Sequence, residues 1–318
     1  MNLSSASVAV VGNLNLDIRT APIPASVGLL SDGETSVEAI YESLGGGAAN
    51  TAIAAALMGG DVHLCCAVGG DELGTRLCAF LDHHGVRVHA AVKPVATGRS
   101  IALTLETHQR HFLSSLPNAR LLEESDVDLD ELYRAGCRHL YRADVWFADR
   151  MLSAGNASLL RRAREAGIET SLDVNWDPLW TNAGSTDSVR GRISELRSAL
   201  AHVSFVHGNE RELSFFTGAQ SAREAARKLM DWGAGAVIVH RGQLGCAAAT
   251  PTGWLDVPAV PVTEILTETG TGDAFTAAFL LTGGLPLAER LHECAAAAAR
   301  HMQGTPTYAP RLEDTLNG

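Results

Sequence analysis

At 318 residues the chain can hold one large α/β domain or two medium ones and can bury a sizeable core. Its composition is ordinarily globular, 46% hydrophobic and 19% charged, and no apolar run reaches the ~18 residues needed to cross a bilayer. A formal charge of −11 with no block of Lys or Arg argues against a nucleic-acid surface, which needs clustered cations to release counterions.

The N-terminal stretch MNLSSASVAVVGNLNLD has no basic region, which reads against a signal peptide, and it leads into a predicted strand, VAVVG at 8–12. That strand ends in GNLNLD (12–17). Asn13, Asn15 and Asp17 alternate, so an extended chain puts them on one face, where an Asp can grip vicinal hydroxyls; a solvated turn explains them equally well. Residues 13–44 then break the rhythm, with two prolines and two glycines among short segments. Residues 96–117 alternate like a half-exposed antiparallel hairpin. Neither stretch fits a βαβ unit, and both read as excursions that pair as a small sheet beside the main domain.

Between them, SLGGGAANTAIAAALMGGD (43–61) places three glycines before a helix, with Asn50 in its first turn. Glycines let a ligand approach the backbone, and an Asn amide can both donate to and accept from hydroxyls. A plain helix entry is the competing explanation. A dinucleotide fingerprint fits poorly, because Asn50 occupies its third glycine and no G-x-G follows the first strand. VHLCCAVG (62–69) is the next strand, and ELGTRLCAFLDHHG (72–85) a helix stopped by Gly85 and capped by Asp71. The six cysteines show no C-x-x-C pair and no zinc spacing, so reduced, cytosolic thiols are expected, with Cys65 and Cys66 as buried packing. His83, His84, His108 and His111 share no metal-ligand spacing on a helix face.

Further along, ETSLDVN (169–175), VSFVHGN (203–209) and AVIVHRG (236–242) are apolar at successive positions and separated by helical stretches. Such runs indicate a parallel sheet covered on both faces, hence an α/β fold. HGNEREL (207–213) sets Asn209 and Glu212 at an i, i+3 spacing, and HRGQLG (240–245) carries Gly242 and Gly245; a helix cap and a hairpin turn account for them individually. TETGTGDAF (267–275) runs two glycines and small threonines into Asp273 and then a helix. Glycines before a helix let backbone amides converge, and the helix start adds about half a positive charge, which makes an anion pocket. A carboxylate behind such a pocket can take a proton from whatever attacks the anion, so Gly270, Thr271 and Gly272 would hold a transferring phosphoryl group and Asp273 would be the base. A glycine turn with Asp273 as an N-cap is the plainer alternative.

Taken together and in order, these pieces resemble the ribokinase-like (PfkB) carbohydrate kinase family over nearly the whole chain, from VVGNLNLD to ECAAAAARHM. The Gly-Gly-x-x-x-Asn helix entry near residue 46, followed by AVGGDELG (67–74), and the G-x-G-D-A-F near the C-terminus carry the resemblance. It implies a doubly wound, mostly parallel sheet flanked by helices, with a small β-sheet lid. The core would take residues 1–12, 45–95 and 118–318, and the lid 13–44 and 96–117. It further implies ATP-dependent phosphorylation of a hydroxymethyl group with Mg²⁺, in the cytoplasm. Asp273 would be the general base and Gly270 to Gly272 the anion hole; Asn15, Asp17, Gly46, Gly47 and Asn50 would hold substrate hydroxyls. Asn209 and Glu212 match the family's Asn-x-x-Glu, whose Glu orders Mg²⁺ through water, and Arg241, Gly242 and Gly245 match the loop beside the nucleotide. The lid would close over the sugar and offer a homodimer contact.

Four departures bear on substrate and cation. Thr267 stands where the lead-in to the catalytic loop usually has an Asp that helps a monovalent cation, which leaves K⁺ dependence open, with Glu268 a partial substitute. Gly47 takes the place of a ribokinase Lys, and Cys294 that of an Asn near the adenine. DVNWDPLW (173–180) carries Asp177 where sugar-acid kinases have an Arg. A small neutral sugar is therefore the expected substrate. A nucleoside kinase, for which Trp146, Phe147 and Trp176 are candidate base contacts, is the first alternative. A 2-keto-3-deoxygluconate-type sugar-acid kinase using Arg99 or Arg110 is the second, and a non-catalytic sugar or nucleotide sensor is the alternative from another class.

Overall fold

The protein is represented by a computed structural model, which describes residues 6–24, 32–106, 110–183 and 186–304; His108 lies outside the described residues. In chain order its strands are β1 (Ser7–Val11), β2 (Asn15–Thr20), β3 (Ile40–Gly45), β4 (Asp61–Gly69), β5 (Val86–Lys93), β6 (Arg99–Thr104), β7 (Arg110–Ser115), β8 (Cys137–Arg142), β9 (Glu169–Asp173), β10 (Phe205–Asn209), β11 (Ala236–His240), β12 (Cys246–Thr250) and β13 (Gly253–Val257). Nine of them form one sheet in the order β13-β12-β11-β10-β9-β8-β1-β4-β5, and four form a second in the order β3-β2-β6-β7.

From β11 to β5 all neighbours in the large sheet run parallel, while β12 and β13 close one edge as an antiparallel pair. Helices cover both faces because the strands have no polar face. Val8 and Val10 of β1 enter one apolar cluster with Leu64 and Cys66, while Ala9 and Val11 enter another with Cys65 and Ala67. Alternate side chains thus feed two cores, as period-2 geometry requires of a strand buried on both sides. All six cysteines are free, and only Cys78 is not buried. Among the described residues no helix is long and apolar enough to cross a membrane.

Three strand groups escape the sequence reading. β8, CRHLYR, looks too polar for a central strand, yet Arg142 is fully buried, its guanidinium donating to the carbonyl of Val11 and to Asn156 Oδ1. β5 is a half-exposed edge, and β12 and β13 are a short hairpin around Thr250–Gly253.

The small sheet has two chemically distinct faces. Cross-strand pairing sets Asp17 opposite Ser43 and Ser100, and Arg19 opposite Tyr41 and Ala102, with Phe112 and Arg110 continuing that face on β7. The opposite face carries Ile18, Ile40, Ile101 and Leu113, of which Ile40, Ile101 and Leu113 are exposed. Asp71 ties this lid to the core: it caps the helix Glu72–His83 through the amide of Gly74, and it also accepts from the amide and hydroxyl of Thr97 just before β6.

Candidate active site

The carboxyl ends of β1, β8, β9, β10 and β11 share one edge of the large sheet, where open α/β sheets bind ligands. Two helices begin at this edge and pack along each other, Gly47–Leu57 and Thr271–Leu281. Each is entered through a glycine with a left-handed backbone that a side chain would strain. Gly46 has φ +99° with the Asn13 carbonyl 2.3 Å from where a Cβ would sit, and Gly270 has φ +85° against the ring of His301.

Asp273 lies in the first turn of the second helix, half-buried, and Thr51 from the first helix donates its hydroxyl to Asp273 Oδ1 at 3.1 Å. Burial pushes its carboxyl up to about 8; the neighbouring charge of Asp144 adds to this, and the Thr51 hydrogen bond opposes it. Asp273 is not the N-cap of its helix, because Gly270 holds that place and makes no side-chain bond. Among the described residues the amides of Gly270 and Gly272 donate to no protein acceptor, and that of Thr271 makes only a long 3.4 Å approach to the Glu268 carbonyl. The loop therefore offers open donors beside a carboxyl that burial keeps basic.

Thr51 gives a sharp test. A hydrogen bond to a charged group is worth about 1.5–3 kcal/mol, so Thr51→Val should move the pH dependence of turnover about one unit or more to the alkaline side. A pH–rate profile superimposable on that of the parent protein would remove Thr51 from this role.

The residues expected to hold substrate hydroxyls are placed as follows. Asp17, on β2, accepts from Asn15 Nδ2 at 2.9 Å and from Arg19 at 3.3 Å, and burial raises its pKa against both. The Asn50 side chain makes no hydrogen bond among the described residues, while its amide joins the helix at the Gly46 carbonyl. The amide of Gly47 is already claimed, because Asp144 accepts from the amides of Asn13, Gly47 and Ala48. Asp144 follows β8 with φ +56°, and Asn175 follows β9 with φ +48°; the Asn175 side chain accepts from the Asp144 amide at 2.7 Å. Asp173 accepts from the buried Tyr141 hydroxyl at 2.9 Å. Thr51, Asp144, Asp173 and Tyr141 are thus site residues that sequence reasoning missed. The one available signal was Asp173 at the end of the apolar strand β9; Thr51, Asp144 and Tyr141 carried none of that kind.

At the far end, Asn209 and Glu212 form a reciprocal capping box: Asn209 Oδ1 accepts from the Glu212 amide, and Glu212 Oε2 from the Asn209 amide. Burial pushes Glu212 up to about 7, with the charge of Asp173 adding to it. A divalent cation would relieve that crowding, and Mg²⁺ commonly binds through one or two carboxylates plus waters and phosphates. Asp173 and Glu212 fit that pattern. Gly242 and Gly245 shape the turn between β11 and β12, but the Arg241 guanidinium is engaged by Glu210 and Asp256.

Three further residues singled out in the sequence are buried. Asp177, at the place of the sugar-acid kinases' Arg, holds Arg192 at 2.8 Å and the Leu179 amide. Trp146 is a core residue donating to the Val174 carbonyl, so it offers no slot for a base. Cys294 is fully buried among Cys246, Ile238 and Phe275. The small sheet instead carries Phe112, 47% exposed, and Arg110, whose Nη1 donates to Thr269 Oγ1 at 2.6 Å in the loop before Asp273.

A family model described as pfkB family carbohydrate kinase matches residues 5–305. The chain is 31% identical over 248 residues to fructokinase-1 of Oryza sativa subsp. japonica, covering 76% of this chain and 74% of that protein. It is 28% identical over 256 residues to cytidine kinase of Thermococcus kodakarensis, covering 79% of this chain and 83% of that one. The Arabidopsis thaliana ribokinase structure complexed with ribose and ATP has a TM-score of 0.74 at 23% identity, over 98% of each chain.

Proposed function

The chain belongs to the pfkB family of carbohydrate kinases, and within it we propose phosphorylation of a hydroxymethyl group of a small neutral sugar by ATP, with Asp273 as general base. The observation that carries this reading is the pairing of Asp273 with the unclaimed Gly270 and Gly272 amides at one helix start. The substrate hydroxyl gives its proton to Asp273 while its oxygen attacks the γ-phosphorus. The charge that develops on the outer phosphoryl oxygens meets the loop amides and the helix dipole. Asp17 and Asn50 grip ring hydroxyls, and Asn15 holds Asp17 in place. Gly46 and Gly47 let the ring lie close to the backbone. Gly242 and Gly245 flank the nucleotide, with Arg241 bracing their turn through Glu210 and Asp256. Glu212, with Asp173 near it, would hold Mg²⁺ through water, and that ion supplies charge neutralisation on the nucleotide phosphates.

A neutral substrate is supported by how the cations on the Asp17 face of the small sheet are balanced: Arg19 pairs with the Asp17 carboxylate, and Arg110 lies in the field of Glu268 with Nη1 on the Thr269 hydroxyl. A nucleoside is the second reading, favoured by the exposed ring of Phe112 on that face and by the similarity to a cytidine kinase.

ATP consumption across a panel of neutral sugars, sugar acids and nucleosides tests the proposal, alongside thermal shifts with each sugar. A ligand at a hundred times its Kd stabilises by about 2.7 kcal/mol. The expected result is turnover with a neutral sugar that also raises the Tm. Stabilisation by sugar and nucleotide without ATP consumption would make the protein a sensor, and turnover confined to nucleosides would select the second reading.

A further inference from the structure

The resemblance implies a monovalent cation beside the lead-in to the catalytic loop, and the described residues there do not fit one. A K⁺ site is built from several oxygen ligands, typically carbonyls with spare lone pairs directed at a common point. Thr267 offers no carboxylate, and that of Glu268, the partial substitute, already sits in the field of the Arg110 guanidinium. The carbonyl of Glu268 accepts the Thr271 hydroxyl at 2.8 Å, that of Gly270 accepts the Ala274 amide at 2.9 Å, and that of Met302 accepts the amides of Leu266 and Thr267. Most telling, the carbonyl of Thr269 faces an imidazole: His301 Nε2 lies 2.6 Å from it. A carbonyl only accepts, so this nitrogen carries the proton.

His301 is 2% exposed, in the last turn of the helix Leu287–Met302, and its ring packs against Gly270, 3.2 Å from where a Cβ would stand. The peptide joining Thr269 to Gly270 is planar and trans, so its carbonyl and its N–H point in opposite directions. His301 donates to the carbonyl end. The N–H end is that of Gly270, one of the two amides of this loop without a protein acceptor among the described residues. Donation to one end of a peptide polarises it and strengthens its other end as a donor, which is the service a bound cation would perform.

We propose that His301 replaces the monovalent cation, polarising the Thr269–Gly270 peptide from behind, and that this kinase turns over at full rate without K⁺. The proposal rests on the reading of Gly270 as part of the anion hole. His301 is a positioning residue, because it acts through a peptide and touches no reacting atom.

The test uses the full chain with the sugar that supports turnover. With KCl exchanged for tetramethylammonium chloride at constant ionic strength, kcat and Tm should both stay the same, kcat to within about twofold. His301→Ala should lower kcat by on the order of tenfold, a fraction of the ~10²–10³ that loss of a whole donor costs, with the sugar KM little changed. Added imidazole or KCl should restore part of that loss, and His301→Gln, which keeps an N–H donor, should stay near the parent rate. Several-fold activation of the parent protein by K⁺, or a K⁺-specific rise in its Tm, would overturn the proposal even if His301→Ala failed to fold. So would a His301→Ala variant of unchanged kcat. Failure to consume ATP with any sugar or nucleoside would instead count against the kinase reading, and the K⁺ effect on Tm would still decide the cation question.

Discussion

An Asp273→Asn variant should lose about 10²–10⁴ in kcat while still binding sugar and nucleotide, because general-base catalysis has that worth and the amide keeps the shape of the carboxyl. The same substitution should move stability in the opposite direction. Burial holds the Asp273 carboxyl at about 8 in the folded protein, against 3.8 as its reference value. A folded-state pKa raised in this way favours folding fully below the unfolded pKa, and that contribution is lost as pH rises through the folded one. The parent protein should therefore lose stability from this group between about pH 4 and pH 8, whereas the Asn variant has no such loss. At pH 8 the inactive variant should have the higher Tm, and at pH 5 the difference should shrink. Near-normal turnover, or a variant less stable at pH 8 than at pH 5 by the parent's margin, would remove Asp273 from the role of buried base.

The second large effect is the pH dependence of the parent protein. The base must be ionised to accept a proton, and kcat/KM reports the pKa of the free protein. With the carboxyl at about 8, kcat/KM should climb roughly tenfold per pH unit up to that point and then level off. Between pH 6 and the plateau the rise is then on the order of a hundredfold, since each pKa unit is a tenfold change in the ionised fraction. Glu212, pushed up to about 7 by burial and by Asp173, steepens the acid limb if its charge is needed for Mg²⁺. Repeating the profile at saturating Mg²⁺ separates the two carboxyls. A flat profile from pH 6 to pH 9 would contradict the environment assigned to Asp273.

How much of this was legible in the sequence depends on what each residue needed from its neighbours. Gly46, Gly270 and Asp273 announce themselves locally, because a helix start entered through left-handed glycine constrains residue types over only a few positions. The long apolar runs of β1, β4, β9, β10 and β11 likewise reveal a sheet buried on both sides. Thr51, Asp144 and Tyr141 could not be read in that way. Asp144 matters because its carboxylate reaches amides at Asn13, Gly47 and Ala48, about a hundred residues or more away in sequence. β8 was hidden for a related reason. Arg142 looks like a surface residue until the Val11 carbonyl and Asn156 supply its acceptors. Trp146 has the converse property: it reads as a candidate base contact, but the Val174 carbonyl holds its ring in the core.

The burial of the cysteines has a practical outcome. Only the thiolate is reactive toward alkylating dyes, and the apolar surroundings of Cys65 and Cys246 push both up to about 12, while Cys66 and Cys294 are also raised well above the ordinary thiol range. Burial raises Cys137 as well, so with the half-buried Cys78 replaced the five remaining thiols should react slowly with maleimide at neutral pH. A fluorophore on a Phe112→Cys variant, on the exposed β7, would then report whether ligands change the surroundings of the small sheet.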